Sequence, residues 1–238
     1  MNALARQRAA TVAVWRADVE TRTTGAWAQL GDLAVHTTGI PVGHWNGAHV
    51  TGPDTPWAEA GTWFSDHGMP WGVLIPAESD VEPPGPAITT QRVMLHDLED
   101  LPDVPELELR WDAADDAAAL QSEAFDAPLP ESTEFVFPKL RNAACAVVTA
   151  YSNDLPVATA TLVVTDGVAA VYGVGTRTAV RGQGLGRAVT LAVLHEGRRR
   201  GCDLAFLNPS DLGYGVYARL GFVDAPPWLV YQPGQASL

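Results

Sequence analysis

The alternation of apolar and polar positions is regular from about residue 105 onward. LELRW (107–111) reads as a short strand and DAADDAAALQSEAF (112–125) as an alanine-rich helix. Three strand-like runs follow, AACAVVTAY (143–151), LPVATATLVV (155–164) and VAAVYGVGT (168–176). The second and third are joined by Asp166-Gly167, a two-residue hairpin signal. Residues 184–200 place Leu185, Ala188, Val189, Ala192 and Val193 at helical spacing, with Leu191 and Leu194 on one flank. DLAFLN (203–208) is a strand, LGYGVYARL (212–220) a short helix stopped by Gly221, and PWLVYQ (227–232) a final strand. Antiparallel strands followed by strand–helix–strand predict an α/β (α+β) class, a mixed, largely antiparallel sheet flanked by helices.

The first hundred residues are less regular. LAVHTTGIPVGHWNGAHV (33–50) is strand-like around a Gly-Ile-Pro turn. A helix is signalled next, with Asp54 or Thr55 as N-cap, Pro56 at the first helical position, then WAEAGTWFSDH and Gly68 as the stop. WGVLIP (71–76) reads as a buried strand, and ESDVEPPGPAITT (78–90) as a loop. A boundary near residue 100 gives two expected domains, 1–100 and 101–238. Trp15, Trp27, Trp45, Trp57, Trp63 and Trp71 all fall in the first, where they read as packing between small sheet layers rather than as a stacking surface.

Composition narrows the function classes. Of 238 residues 47% are hydrophobic, enough for an ordinary core. No window reaches about 18 consecutive apolar residues, so no transmembrane helix is expected. MNALARQRAATVAVW lacks a signal-peptide core. Cys145 and Cys202 sit inside apolar runs and read as buried thiols, so the expected location is the cytoplasm. The net charge of −13 argues against nucleic acid and acidic membrane surfaces as partners. No Cys/His set has zinc spacing, and the six histidines read as packed or solvated rather than as a metal site.

The positive charge is unevenly placed. Lys139 is the sole lysine, whereas Arg177, Arg181, Arg187, Arg198, Arg199 and Arg200 fall together around the stretch RGQGLGRAV (181–189). Arg198, Arg199 and Arg200 occupy a helix's last turn before Gly201, where cations suit the macrodipole. Arg181 is different, because it opens a glycine run that ends a strand and enters a helix. Such a turn offers unmatched backbone N–H groups to one point, and phosphate is the natural occupant. The Walker pattern is absent, since no Gly-Lys-Ser/Thr follows. The dinucleotide pattern also fails, because Arg187 or Val189 stands where glycine or alanine is required. A nucleotide-binding oxidoreductase is thereby disfavoured.

Arg-x-x-Gly-x-Gly, Arg181 to Gly186, resembles motif A of the GNAT superfamily of acyl-CoA N-acyltransferases. The strand before it ends in Val174-Gly175-Thr176, and GVYARLGFV (215–223) resembles the family's last motif, a tyrosine on a short helix before Leu-Gly-Phe. The resemblance covers about residues 105–238 and implies a GNAT fold there. It also suggests that residues 1–100 are a degenerate copy of the same fold or an accessory domain. It implies a transferase, an N-acetyltransferase that moves acetyl or a related acyl group from acetyl-CoA, as co-substrate, to a primary amine. The main-chain amides of Gly182, Gln183, Gly184, Leu185, Gly186 and Arg187 would bind the CoA pyrophosphate, with Arg181 lending charge. Val174, Gly175 and Thr176 would meet the pantetheine arm through main-chain groups, and Tyr217 would protonate the leaving thiolate. Many relatives carry asparagine seven residues before the tyrosine; here that residue is Ser210. Relatives often draw a base from a glutamate on the strand before the loop, yet VAAVYGVGT holds no carboxylate, leaving Asp211, Glu123 and Asp126 as candidates. A protein that binds acyl-CoA without catalysis, as a scaffold, is the alternative. The expected assembly is a monomer or homodimer, and the high arginine-to-lysine ratio points to a bacterial, GC-rich genome.

Overall fold

The computed structural model describes residues 1–232; residues 233–238 of the expected second domain lie outside the described residues. In chain order the helices and strands are α1 (Ala3–Glu20), β1 (Ala26–Leu30), β2 (Leu33–Thr37), β3 (Gly47–Val50), α2 (Trp57–His67), β4 (Gly72–Pro76), β5 (Ala87–His96), β6 (Glu108–Trp111), α3 (Ala114–Phe125), α4 (Leu129–Val136), β7 (Cys145–Ser152), β8 (Leu155–Thr165), β9 (Val168–Thr176), α5 (Leu185–Arg199), β10 (Leu204–Leu207), α6 (Asp211–Arg219) and β11 (Val223–Tyr231). The sheet is mixed and mostly antiparallel, flanked by helices, as the residue pattern predicts. Two compact units divide the chain. One joins Met1–Ala10 to Met94–Asp224, and the other joins Thr11–Val93 to the segment from Ala225 onward.

In the first unit the strand order is β6-β7-β8-β9-β10, closed by the last three residues of β5. β10 runs parallel to β9 and antiparallel to Met94–His96, and every other pairing is antiparallel. One face packs under α5, where Val189 and Val193 meet Ala146, Val148, Ala160, Ala169 and Val171. The opposite face packs under α3 and α4, where Ala117, Ala118 and Val136 cover Val147. Val147 lies between Ala146 and Val148 in sequence, so the two layers follow the two-residue period of a strand. The turn between β8 and β9 is the expected hairpin, with positive φ at both Asp166 (46°) and Gly167 (74°). Arg6, at the start of α1, ion-pairs with Asp203 and donates to the carbonyl of Gly167 at 3.3 Å.

β9 holds an irregularity that matters below. Its register with β8 runs Val168 to Tyr172 against Thr165 to Thr161, then resumes with Gly175 opposite Thr159. Gly173 and Val174 thus stand together against Ala160, a β-bulge, and Gly173 takes a φ of +56°. β10 pairs with β9 only as far as Leu207 opposite Val171. Beyond that point β9 has a strand partner on the β8 side alone.

In the second unit the order is β1-β2-β3-β4-β11, with β3 and β4 parallel and the remaining pairs antiparallel. Leu33, Val35, Val50, Phe64, Val73 and Ile75 form its core. Phe64 stacks on Trp71 at 4.3 Å, and Trp63 meets Phe64 edge-on, so these tryptophans pack as read from the sequence. Helix α2 stops at Gly68 (φ 65°) as expected. Its N-cap position is Pro56 rather than Asp54 or Thr55, with no side-chain cap. His36 and His49 are buried and stacked at 5.3 Å, with Trp15 over His36 and the edge of Trp228 on His49. No ring nitrogen of either histidine meets a hydrogen-bond partner among the described residues. Burial lowers both pKa values, that of His49 to about 4.

Two elements depart from the pattern read above. Helix α1 was not signalled, because polar Gln7, Thr11 and Asp18 share its buried positions with Ala10, Val14 and Val19. β5 begins at Ala87, inside the stretch read as a loop, because its first four residues are exposed.

Candidate active site

The turn between β9 and α5 is built on two glycines in the left-handed region, Gly182 (φ 80°) and Gly184 (φ 79°). A side chain at either would meet nothing within 4 Å, so the loop's outer surface is open. Gly184 is the N-cap of α5, no side chain caps the helix, and its first turn has no acidic residue. The first internal helix bond is Ala188 N–H to the Gly184 carbonyl at 3.0 Å. The N–H groups of Leu185, Gly186 and Arg187 therefore lack a helical acceptor, at the positive end of a fifteen-residue helix.

A cleft of about 670 Å³ opens on this loop. Val174, Thr176, Arg181, Gly182, Gly184, Leu185, Gly186, Arg187, Ser210 and Tyr217, all singled out from the sequence, line it together. Gly175 and Gln183 are not among the lining residues. Gly175 instead faces α3, where a Cβ would stand 3.0 Å from Cβ of Ala124. The wall opposite the loop comes from α6 through Leu212, Gly213, Val216, Tyr217 and Arg219, and the C-terminal end of α3 adds Ala124 and Phe125. The bulge and the end of β10 pairing explain the opening, because the last residues of β9 are left without a neighbour on the cleft side.

The side chains have definite tasks. Tyr217 is 8% exposed, and burial pushes its phenol up to about 12, so it stays protonated across the neutral range. Among the described residues its hydroxyl makes no hydrogen bond, which leaves it free for a bound molecule. Ser210 is the N-cap of α6, its Oγ accepting from Gly213 N–H at 3.2 Å. That bond uses an oxygen lone pair and leaves the hydroxyl proton to be donated. Arg181 donates from Nε to the carbonyl of Thr176 at 3.2 Å, which braces the loop on the end of β9 and leaves its other N–H groups uncommitted.

The three carboxylates considered as bases stand elsewhere. Glu123 accepts the Thr178 N–H at 2.6 Å and lies 3.5 Å from Arg177. The Thr178 bond, then the charges of Arg177 and Arg181, hold its pKa low. Asp126 caps the C-terminus of α3, and Asp211 opens α6. None of the three lines the cleft, and no other Asp or Glu does. Among the described residues no group of three or more His, Cys, Asp or Glu is arranged to hold a metal ion. The arginines at the end of α5 are engaged in structure: Arg199 and Arg200 bond Glu196 at 2.7 Å, and Arg198 reaches the Glu99 carbonyl at 3.3 Å.

Gly213 is a site residue that residue patterns did not single out. Its signal is the spacing of four from Tyr217, which puts both on one face of α6.

Residues 111–222 match the model of the acetyltransferase (GNAT) family. This segment is a GNAT acetyltransferase domain. The glycine loop, the bulged strand β9 and the Tyr217 helix all fall within it. The GNAT fold extends over nearly the whole chain in a GCN5-related N-acetyltransferase from Kribbella flavida. That structure is 23% identical, with a TM-score of 0.73, covering 98% of this chain and 97% of that one. A GCN5-related N-acetyltransferase from Sphaerobacter thermophilus is 17% identical, with a TM-score of 0.56 over 84% of this chain and 76% of its own. A tandem GNAT protein from the clavulanic acid biosynthesis pathway is 16% identical, with a TM-score of 0.58 over 91% and 86%. No curated protein matches the chain.

Proposed function

We propose that this GNAT protein transfers an acetyl or related acyl group from acyl-CoA to a primary amine. One observation carries the reading: a single cleft joins an uncapped, glycine-lined helix start to the unpaired end of β9 and a buried, protonated tyrosine. The amides of the 182–187 loop would hold the pyrophosphate, helped by the α5 dipole and Arg181. The main chain of Val174 to Thr176 would pair with the pantetheine amides and bring the thioester toward Tyr217. The amine nitrogen then attacks the thioester carbonyl, the carbon–sulfur bond breaks, and sulfur takes a proton from Tyr217. The proton lost by the amine returns to the phenolate through water, so the tyrosine is regenerated. With no carboxylate in the cleft, the amine enters neutral or loses its proton to water.

A second reading, an acyl-CoA-binding scaffold without catalysis, draws support from that same absence of a base. Under either reading the expected division into a degenerate GNAT-like or accessory domain, 1–100, and an acyltransferase domain, 101–238, is kept in outline, with Met1–Ala10 and Met94–Asp224 joining the acyltransferase unit and the segment from Ala225 joining the other. The likeness to a tandem GNAT protein along most of the chain favours this division. We place the protein in a bacterial cytoplasm as a monomer or homodimer; no helix among the described residues is long and apolar enough to cross a membrane. The deciding experiment is a panel of amines with acetyl-CoA, following thiol release, in the wild type and in Tyr217→Phe. Turnover should fall about 10²–10⁴-fold in the variant while CoA still binds. Binding of CoA with no turnover on any amine would favour the scaffold.

A further inference from the structure

The chain carries 28 acidic residues against 15 basic ones, yet the cleft is lined by three arginines and no carboxylate. Several arginines elsewhere pair with acids, as Arg6 does with Asp203, Arg22 with Asp18, Arg110 with Glu108 and Asp154, and Arg200 with Glu196, while Arg198 bonds a backbone carbonyl. Among the described residues Arg181, Arg187 and Arg219 make no ion pair. In an acidic protein, three guanidinium groups without an ion pair on one cleft, of which Arg181 alone feels a nearby carboxylate, Glu123, call for an anion with more than one charged group.

The three do not stand together in the fold. Arg181 and Arg187 flank the glycine loop, beside the free amides of α5. Arg219 comes from the opposite wall, in the last turn of α6. It does not extend outward from the helix end. Its guanidinium lies back along α6 by one turn, so that a Cβ built on Gly215 would stand 3.5 Å from its Nη1 and 3.9 Å from its Nη2. A glycine inside a nine-residue helix is unfavourable, and here it leaves a smooth surface along which the arginine reaches the cleft. A cation brought back toward the N-terminal half of its own helix gains nothing from the macrodipole there, so an external anion is its natural partner.

CoA presents two separate anionic groups, the bridging pyrophosphate and a 3′-phosphate monoester, the latter worth about −1.5 to −2 charges near neutral pH. The loop amides with Arg181 and Arg187 suit the first. We infer that Arg219 binds the second, and that it makes the site selective for CoA and its thioesters over the 3′-dephospho forms. This assignment rests on the acyl-CoA reading of the cleft.

The test is equilibrium binding of CoA and of 3′-dephospho-CoA to the full chain, in the wild type and in R219A, R219K and R187A. The wild type should prefer CoA by about 10- to 100-fold, the range of one charge-assisted phosphate contact. R219A should lose that preference by weakening CoA alone, with its affinity for 3′-dephospho-CoA changed less than about threefold. R219K should retain part of the preference, and R187A should weaken both ligands together. An R219A variant that weakens both equally, or that keeps the preference, overturns the assignment, as does loss of the preference in R187A instead. Equal wild-type affinity for the two ligands overturns it while leaving the acyl-CoA reading intact. Binding of neither ligand removes the acyl-CoA reading itself. Melting of each variant without ligand shows that it is folded, and R219K, which keeps the charge and the long stem, serves if R219A is not.

Discussion

A methyl group on Gly213 would stand 2.9 Å from Cε2 of Tyr217. The tyrosine ring lies against the first turn of its own helix, and only a residue without a side chain admits it there. Gly213→Ala should therefore displace the ring. The helix gains about 1 kcal/mol of propensity from alanine, which offsets part of the strain, so the melting temperature should change little. Turnover should fall while CoA affinity holds. In a Tyr217→Phe background the same change should add little further loss, because the hydroxyl it misplaces is already gone. Unaltered turnover in Gly213→Ala would show that the ring has room to adjust.

Gly184 allows a sharper separation of folding from binding. Its φ of 79° is a conformation that Asp tolerates better than most residues, and an acid at a helix start is favourable. Gly184→Asp should fold with a melting temperature within a few degrees of wild type, yet reject the pyrophosphate. In the wild type, CoA at about 100 times its dissociation constant adds about 2.7 kcal/mol, a shift of several degrees for a chain of this size. The variant should show none. A full shift in folded Gly184→Asp would move the phosphate site away from the loop.

The arginines near the loop in sequence should divide by function. Arg181→Ala should weaken CoA by about 10- to 100-fold. Arg199→Ala should leave it unchanged within about twofold, because that side chain is turned to Glu196, whose pKa its hydrogen bonds help pull down to about 2. Isothermal titration of the two variants side by side decides this; equal losses would make the effect a general one of charge.

His36 and His49 give the protein an acid limit. Burial lowers both pKa values, with the charge of the neighbouring histidine adding to the effect at His36 and Asp18 opposing it. The unfolded chain takes up protons at these sites first, near 6.5, while the folded chain resists. The contribution of the neutral pair is complete above that pH and is lost as pH falls below 6.5, for His49 as far as its folded value of about 4. The His49 imidazole contributes a slope of about 1.4 kcal/mol per pH unit in that window, and His36 adds a loss of the same sign. Chemical denaturation between pH 4 and 7 should show this loss, and the double variant His36→Phe, His49→Leu should flatten it. An equal slope in the double variant would assign the acid limit to other groups.

Much of the GNAT unit was legible because local and long-range signals agree in it. Asp166-Gly167 demands a tight hairpin, the apolar run of α5 has one period, and Arg181 to Gly186 has few other uses. The bulge in β9 was hidden, since Gly173 and Gly175 look alike in sequence and only the register with β8 tells them apart. Helix α1 was hidden for the opposite reason: Gln7, Thr11 and Asp18 occupy positions where a core helix is expected to be apolar. Ser210 was read as a cofactor contact, and its role as the cap of α6 became visible only once that helix was seen to begin one residue later.

The bulge in β9 also sets a phase. Ala169 and Val171 point to the α5 side, and so does Val174, three residues on rather than two. Thr176 follows it, its Oγ1 only 3.3 Å from where a Cβ on Gly186 would be. The strand thus counts odd before the bulge and even after it. Deleting Gly173 alone would mend the pairing with β8 and set Val174 two residues after Val171, so Val174 and Thr176 would keep to the α5 side, opposite Ala160 and Ala158. What the deletion would remove is the bulge and the local bend it gives the strand beside the cleft, with no change of any side chain that lines it.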